Sequence, residues 1–365
     1  MQELWGPVLK VWPKCPRFVS VESTHDGLGD QLERLFAALS LAWRHRDSGI
    51  TLVVSKDFGS EGKIHGHDYH NILTNVLGVP TDAVLRTEDV LKKWKPQVRN
   101  IVGNYGDYVS DKRNFTEDTP CNTLTTVDIY DGCNGRWCPL LWLDQINEGL
   151  GDLIPETYRL HGSYCSTEGK ENFNLKELAV DTINVVWHIR NVKGGSHTCR
   201  ACKPEYLNRV NDFVNQVIGN ASDGSRILNR SDTIVYRLTG HKDKEQLGPL
   251  NHMFPMHMTS ESLEKVLCTF ATADLLVATG SSLPATFSYF LPQRSPVILE
   301  DYRMLNDHDL FQGLDGAPVP FQYVAATNRS FHLEDGKPAA SVTAGQVASA
   351  IMDAKRGRRR RADIL

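Results

Sequence analysis

Three short clusters in this chain bring together the cations, glycines and hydroxyls that suit an anionic ligand. His188-Ile189-Arg190 closes an apolar, β-branched run (Ile183, Val185, Val186) that predicts a strand covered on both faces. His188 and Arg190 alternate with Ile189 and so share one side of that strand. A guanidinium fixed at a strand end is suited to gripping a phosphate with two parallel hydrogen bonds; the plainer alternative is an ion pair with a core carboxylate. The second cluster, Asp26-Gly27-Leu28-Gly29-Asp30-Gln31, lies between a strand and a helix. Its glycines permit positive φ and close approach, and the first amides of the helix attract an anion. The same residues also read as a tight turn with Asp30 as N-cap. The third is Asp274 with Thr279-Gly280-Ser281-Ser282, followed by Leu283-Pro284 in a first helical turn. It forms a second set of amides and hydroxyls, or a helix simply capped by Ser282. All three are expected at the carboxyl ends of strands, where an α/β sheet collects its ligand.

The elements that must hold these clusters follow from periodicity. Phe18 to Val21 predicts a strand and Gln31 to Arg46 a helix, with Leu32, Leu35, Phe36, Leu39 and Trp43 on one face. Ile50 to Val54 is the next strand, and the three together read as a parallel βαβ unit. Residues 100–169 are less regular and read as loops and short elements decorating this first domain. A second series begins with the strand Ile183 to His188, then a helix after Pro204 carrying Leu207, Val210, Val214 and Val217. The strand Thr233 to Leu238 follows, then a helix with Ser260 as N-cap and Leu263, Val266, Leu267 and Phe270 inward. The strand Leu275 to Ala278, a helix through Phe290 and the strand Val297 to Leu299 close it. Alternating strands and helices predict an α/β fold of two Rossmann-like domains with mostly parallel sheets facing across a cleft. The expected division is 1–170, 171–340, and a C-terminal helix with a basic tail at 341–365.

Bulk properties narrow the partners. The chain has 365 residues, is 41% hydrophobic and 23% charged, and carries a net charge of −4, values of a globular protein with room for two cores. No interior basic patch points to nucleic acid, and Lys355 to Arg361 reads as a solvated tail. No run approaches the roughly 18 apolar residues that span a bilayer. Eight cysteines and the glycosylation acceptors Asn114, Asn220, Asn229 and Asn328 point to the secretory lumen (ER or Golgi), with any anchor outside this chain; a cytoplasmic protein is the alternative. Cys199 and Cys202 with Cys133 and Cys138 suit either structural disulfides or a four-thiolate zinc site.

Gly27-Leu28-Gly29-Asp30-Gln31-Leu32, followed by an Ala/Leu-rich helix and Thr51-Leu52-Val53-Val54, resembles the glycine loop of GDP-fucose-dependent fucosyltransferases. The α-1,6-fucosyltransferases and protein O-fucosyltransferases are the nearest types. His188-Ile189-Arg190 resembles their His-x-Arg motif, and Ala273-Asp274-Leu275-Leu276-Val277 with Gly280-Ser281-Ser282 resembles their third motif. The resemblance implies a GT-B fold and an inverting, metal-independent transfer of fucose from GDP-fucose to a glycan or glycoprotein, with no cofactor. It implies a nucleotide-sugar-binding second domain and a first domain on the acceptor side. It further implies that Arg190 holds the β-phosphate, Asp274 contacts guanine, and Ser281 and Ser282 contact phosphate. Gly27, Gly29, Asp30, Gln31, His188 and Gly280 would complete the donor site. Asp26 is the first candidate for general base and His197 the second. Asn191, Val192 and Lys193 stand where many members have a second arginine and then an aspartate. This departure leaves room for another nucleotide sugar, or for a binding protein without turnover.

Overall fold

The computed structural model describes residues 14–22, 28–58, 67–99, 105–129, 142–154, 182–189, 204–222, 233–239, 263–279, 282–290, 297–301, 330–334, 337–338 and 342–362. The chain forms two compact units, Met1–Pro155 with Gln312–Ala317, and Glu156–Phe311 with Pro318–Leu365. The expected boundary near 170 falls in 155–181, outside the described residues.

In the first unit the strands are β1 (Arg17–Val21), β2 (Ile50–Val54), β3 (Val84–Arg86), β4 (Gln97–Arg99) and β5 (Thr123–Val127). The helices are α1 (Leu28–Arg44), α2 (Tyr69–Asn71, continued by a π turn at Ile72–Val76), α3 (Thr87–Trp94), α4 (Tyr105–Val109), α5 (Phe115–Asp118) and α6 (Leu143–Leu153). The sheet runs β3-β2-β1-β5-β4, and every pairing is parallel. Phe18 and Val19 of β1 are fully buried, as a central strand requires. The crossover from β1 to β2 through α1 is as the sequence predicts, but β5 is a correction. Expected as decoration, it pairs with β1 along its whole length, from Arg17↔Thr123 to Val21↔Val127. Its Thr-Leu-Thr-Thr-Val composition is polar yet largely β-branched, and β-branched residues fit a pleated surface whatever their polarity. Ser20 and Thr126 hydroxyls meet across the pair at 3.0 Å. The disulfide Cys15–Cys121 joins the two strands just before they begin.

The second unit holds β6 (Thr182–Ile189), β7 (Thr233–Thr239), β8 (Leu275–Thr279), β9 (Val297–Asp301), β10 (Ser330–Glu334) and β11 (Lys337–Pro338). Its helices are α7 (Pro204–Ser222), α8 (Leu263–Thr272), α9 (Ser282–Phe290) and α10 (Ala344–Ala362). The order is β11-β10-β9-β8-β6-β7, parallel except for β10 with β11. The series therefore does not close at Val297 to Leu299; two further strands extend that edge. Ile183, Val185, Trp187 and Ile189 of β6 join one apolar cluster with Val210, Val214 and Val217 of α7 and Val347 and Ile351 of α10. His188 lies on the opposite face, edge-on to Phe270 of α8, which in turn meets Phe287 of α9. The basic run is also corrected. Its backbone continues α10 through Ala362, and Lys355 at its start is buried.

Candidate functional site

Each sheet has a topological switch point, the place where successive crossovers leave a central strand in opposite directions and open a crevice at the carboxyl ends. In the first unit the chain passes from β1 to β2 and β3 on one side, then to β4 and β5 on the other. The switch point is thus between β1 and β5, and α1 starts there. In the second unit β6 is followed by β7 on one side and β8 on the other, which places the switch point between β6 and β8. Register at that edge pairs His188 with Ala278 and Ile189 with Thr279. α9 begins three residues beyond Thr279, at Ser282.

The structure therefore brings His188 and the start of α9 to the same end of neighbouring strands, as the sequence predicts. His188 is 7% exposed, held by the Phe270 ring at 5.3 Å between centroids. Pro284 fits the first turn of α9 because the amide it lacks would have no intrahelical partner there. Ser282 is the first helical residue rather than the cap. Arg190, His197, Gly280 and Ser281 lie outside the described residues, as do Asp26 and Gly27.

Asp274 stands elsewhere. It precedes β8, so it sits at the amino end of the strand whose carboxyl end carries Thr279. Five residues at about 3.3 Å each separate the two edges by about 16 Å. Its carboxylate accepts the Asn184 amide at 2.9 Å, and its own amide donates to the Asn184 carbonyl at 2.8 Å. Its carbonyl accepts the Val297 amide at 3.2 Å. These bonds stitch β6, β8 and β9 together at the edge away from the crevice. Adjacency in sequence to the Gly-Ser-Ser loop made Asp274 look like a ligand contact; one strand length separates them.

The glycine cluster is also rearranged. The helix begins at Leu28, so Gly29, Asp30 and Gln31 are helical residues, and Asp30 lies inside the first turn instead of capping it. Gly49 and Gly78 are the positive-φ glycines among the described residues, so Gly29 supplies no left-handed turn. Asp30, Gln31, Glu33 and Arg34 are all buried in the first two turns. Burial of three ionisable side chains in two turns is uncommon outside paired or functional settings. Arg34 Nη1 donates to the Glu22 carbonyl at 3.5 Å, which ties the helix back to the exit of β1.

The two helix starts consequently differ in charge. Asp30 already answers the positive end of the α1 dipole, whereas α9 has no acid in its first turn. An incoming phosphate is favoured at α9 and opposed at α1. Sequence reasoning missed Glu33 and Arg34, whose i, i+3 and i+4 spacing from Asp30 was visible.

A separate polar cluster lines the carboxyl ends of β2 and β3. Arg86 donates to Asp68 at 2.7 Å, while Glu88 of α3 accepts from the Ser55 hydroxyl and the Lys56 amide at 3.2 and 3.0 Å. Partial burial opposes the Asp68 charge, but the bonds from Arg86 and the Asn71 amide outweigh it and lower its pKa.

No protein-family profile matches this chain, and no curated protein matches it. Among solved structures it is similar to the E. coli heptosyltransferase WaaC with ADP, at 13% identity and a TM-score of 0.41, covering 96% of this chain and 100% of that one. It is also similar to the fucosyltransferase NodZ from Bradyrhizobium, at 13% identity and 0.41, over 78% and 94%. A putative UDP-N-acetylglucosamine 2-epimerase from Listeria monocytogenes matches at 10% identity and 0.34, over 95% and 89%. Likeness at these scores carries no argument about activity.

Proposed function

We propose that the chain is an inverting glycosyltransferase of the GT-B type that takes a nucleotide sugar as donor, GDP-fucose being the first choice, and a glycan or glycoprotein as acceptor. The observation that carries this reading is the convergence of His188, the strand end leading into Arg190, and the acid-free start of α9 on the β6–β8 switch point. In a transfer of this kind, negative charge accumulates on the departing nucleoside diphosphate. Fixed donors at a helix start and a guanidinium stabilise that charge without having to reorganise. The diphosphate then belongs to α9, with Arg190, Gly280, Ser281 and Ser282 around it and His188 supporting the strand end. Asp274 leaves the list of donor contacts. Asp26 remains the candidate base and His197 the second choice. Asn191, in place of the family's second arginine, is the residue on which the second reading rests, the same chemistry with a different nucleotide sugar.

The Cys15–Cys121 disulfide and the exposed sequon residue Asn114 agree with a secretory lumen for this chemistry. Among the described residues, no helix is long and apolar enough to cross a membrane.

The test is calorimetric titration with GDP and with UDP, followed by Arg190→Lys. GDP is expected to bind, and the lysine variant to bind at least tenfold more weakly, because an ammonium cannot reproduce the planar fork. Slow release of GDP from GDP-fucose would mark turnover. Unchanged affinity in Arg190→Lys removes that residue from the site and the reading with it.

A further inference from the structure

We propose that the outer edge of β4 is a docking site for an acidic, extended polypeptide segment, which adds to the sheet of the first unit as a sixth strand. β4 ends the strand order, and Gln97, Val98 and Arg99 are all exposed. The Gln97 amide donates to the Asn122 carbonyl at 3.0 Å, with Gln97 in register with Thr123. In a parallel ladder the residue that bonds a neighbour does so with both its N–H and its C=O, and the next residue turns both away. The Val98 amide and carbonyl therefore point to the open edge, and they are available for a strand that arrives from outside.

Two further features separate this edge from an ordinary protected one. Lysines on edge strands commonly discourage self-pairing, but a protected edge does not also expose large apolar side chains. Among the described residues the exposed large hydrophobics are Leu91 of α3, at 40%, and Val98 of β4, at 61%. Lys92, Lys93 and Lys95 lie between them in sequence and Arg99 follows, with no acid from Val90 to Arg99, on a chain whose net charge is −4. Trp94 anchors the corner, packed on Phe18 at 5.4 Å between centroids with the Lys93 ammonium 4.2 Å above its ring. Backbone pairing with apolar contacts at alternate positions gives such additions their affinity and register. The surrounding cations select an acidic strand and repel a second copy of the same edge.

The experiment titrates the intact chain with a fluorescent heptapeptide of alternating Glu and Val, a Lys-Val counterpart, and a Glu-Val peptide carrying a central proline. Binding of the Glu-Val peptide alone is expected, with the Val98 amide gaining protection from hydrogen exchange. Val98→Pro removes the outward N–H without breaking a ladder bond to β5 and is expected to weaken binding at least tenfold. The charge-reversed variant Lys92→Glu/Lys93→Glu/Lys95→Glu should do the same, and the proline-bearing Glu-Val peptide, which keeps the charge but cannot pair, keeps the test decisive if the proline variant folds poorly. Undiminished binding to a folded Val98→Pro would mean simple charge attraction and overturn strand addition. So would binding to phosphatidylserine-containing vesicles with none to the peptide, or no binding to any of these probes.

Discussion

Removing the Cys15–Cys121 disulfide should cost the first unit several kcal/mol and leave ligand binding by the second nearly untouched. The bridge spans 106 residues. Closing a loop of that length in the unfolded chain is worth about 4.7 kcal/mol by the chain-entropy relation, and native bridges typically deliver about 2–5 kcal/mol. The bond stands at the amino ends of β1 and β5, where the Asn122 amide already donates to the Pro16 carbonyl at 2.7 Å. The crevice of that sheet is at the carboxyl ends, a strand length away, and the β6–β8 crevice belongs to the other unit. A Cys15→Ser/Cys121→Ser double variant avoids thiol reshuffling. Urea unfolding followed by Trp43 and Trp94, both in the first unit, should show a lower midpoint equivalent to about 3–5 kcal/mol, while GDP affinity below the transition changes less than about twofold. A loss under about 1 kcal/mol would show that the β1–β5 ladder alone closes this loop. A large loss of affinity in the folded variant would refute the separation of the two ends.

Other consequences are as direct. A Cβ at Gly149 of α6 would collide with the Ser40 hydroxyl of α1 and lie 3.1 Å from the Ser40 Cα, whereas one at Gly151 meets nothing within 4 Å. Gly149→Ala should therefore lose about 1–2 kcal/mol by overpacking, and Gly151→Ala should gain about 0.5–1 kcal/mol of helix propensity, both read as shifts in Tm. Asp274→Ala strands the buried Asn184 amide, at an expected cost of about 1–3 kcal/mol in chemical denaturation of the second unit. Its GDP affinity should be unchanged; a tenfold drop in the folded variant would restore Asp274 to the donor site. Burial, and then neighbouring Arg44 and Arg86 respectively, lower the pKa of His45 and His70. The unfolded chain therefore binds more protons, so stability is full above about pH 6.5 and falls as the pH drops below it. Urea midpoints at pH 7.5 and 5.5 should show that loss, reduced in a His45→Gln/His70→Gln variant.

The sequence made the fold class legible because apolar periodicity and fold obey the same rule. The run from Ile183 to His188 is nearly continuous in apolar residues because β6 is buried on both faces, and α1 shows its stripe because one side packs on the sheet. β5 escaped notice because Thr123, Thr125 and Thr126 satisfy a central strand through shape and hydroxyl pairing rather than through hydropathy. β10 and β11 were missed for a different reason: they extend an edge and need no long apolar run.

Site residues were harder, since a motif records order along the chain and a ligand reads position across strands. His188 and Ser282 are far apart in sequence yet share one edge through the β6–β8 register. Asp274 is close to Ser282 in sequence but one strand length away in space. The deciding information is where the chain reverses its direction of travel across the sheet, which no local pattern contains. The charge on the two helix starts adds a second constraint that spacing alone did not weigh. Gly-x-Gly beside a strand suggested an open turn before α1, but Gly29 is helical and Asp30 already occupies the first turn. α9 has no such acid in its first turn, so the two helix starts differ in what they offer an anion although both follow a glycine-containing loop.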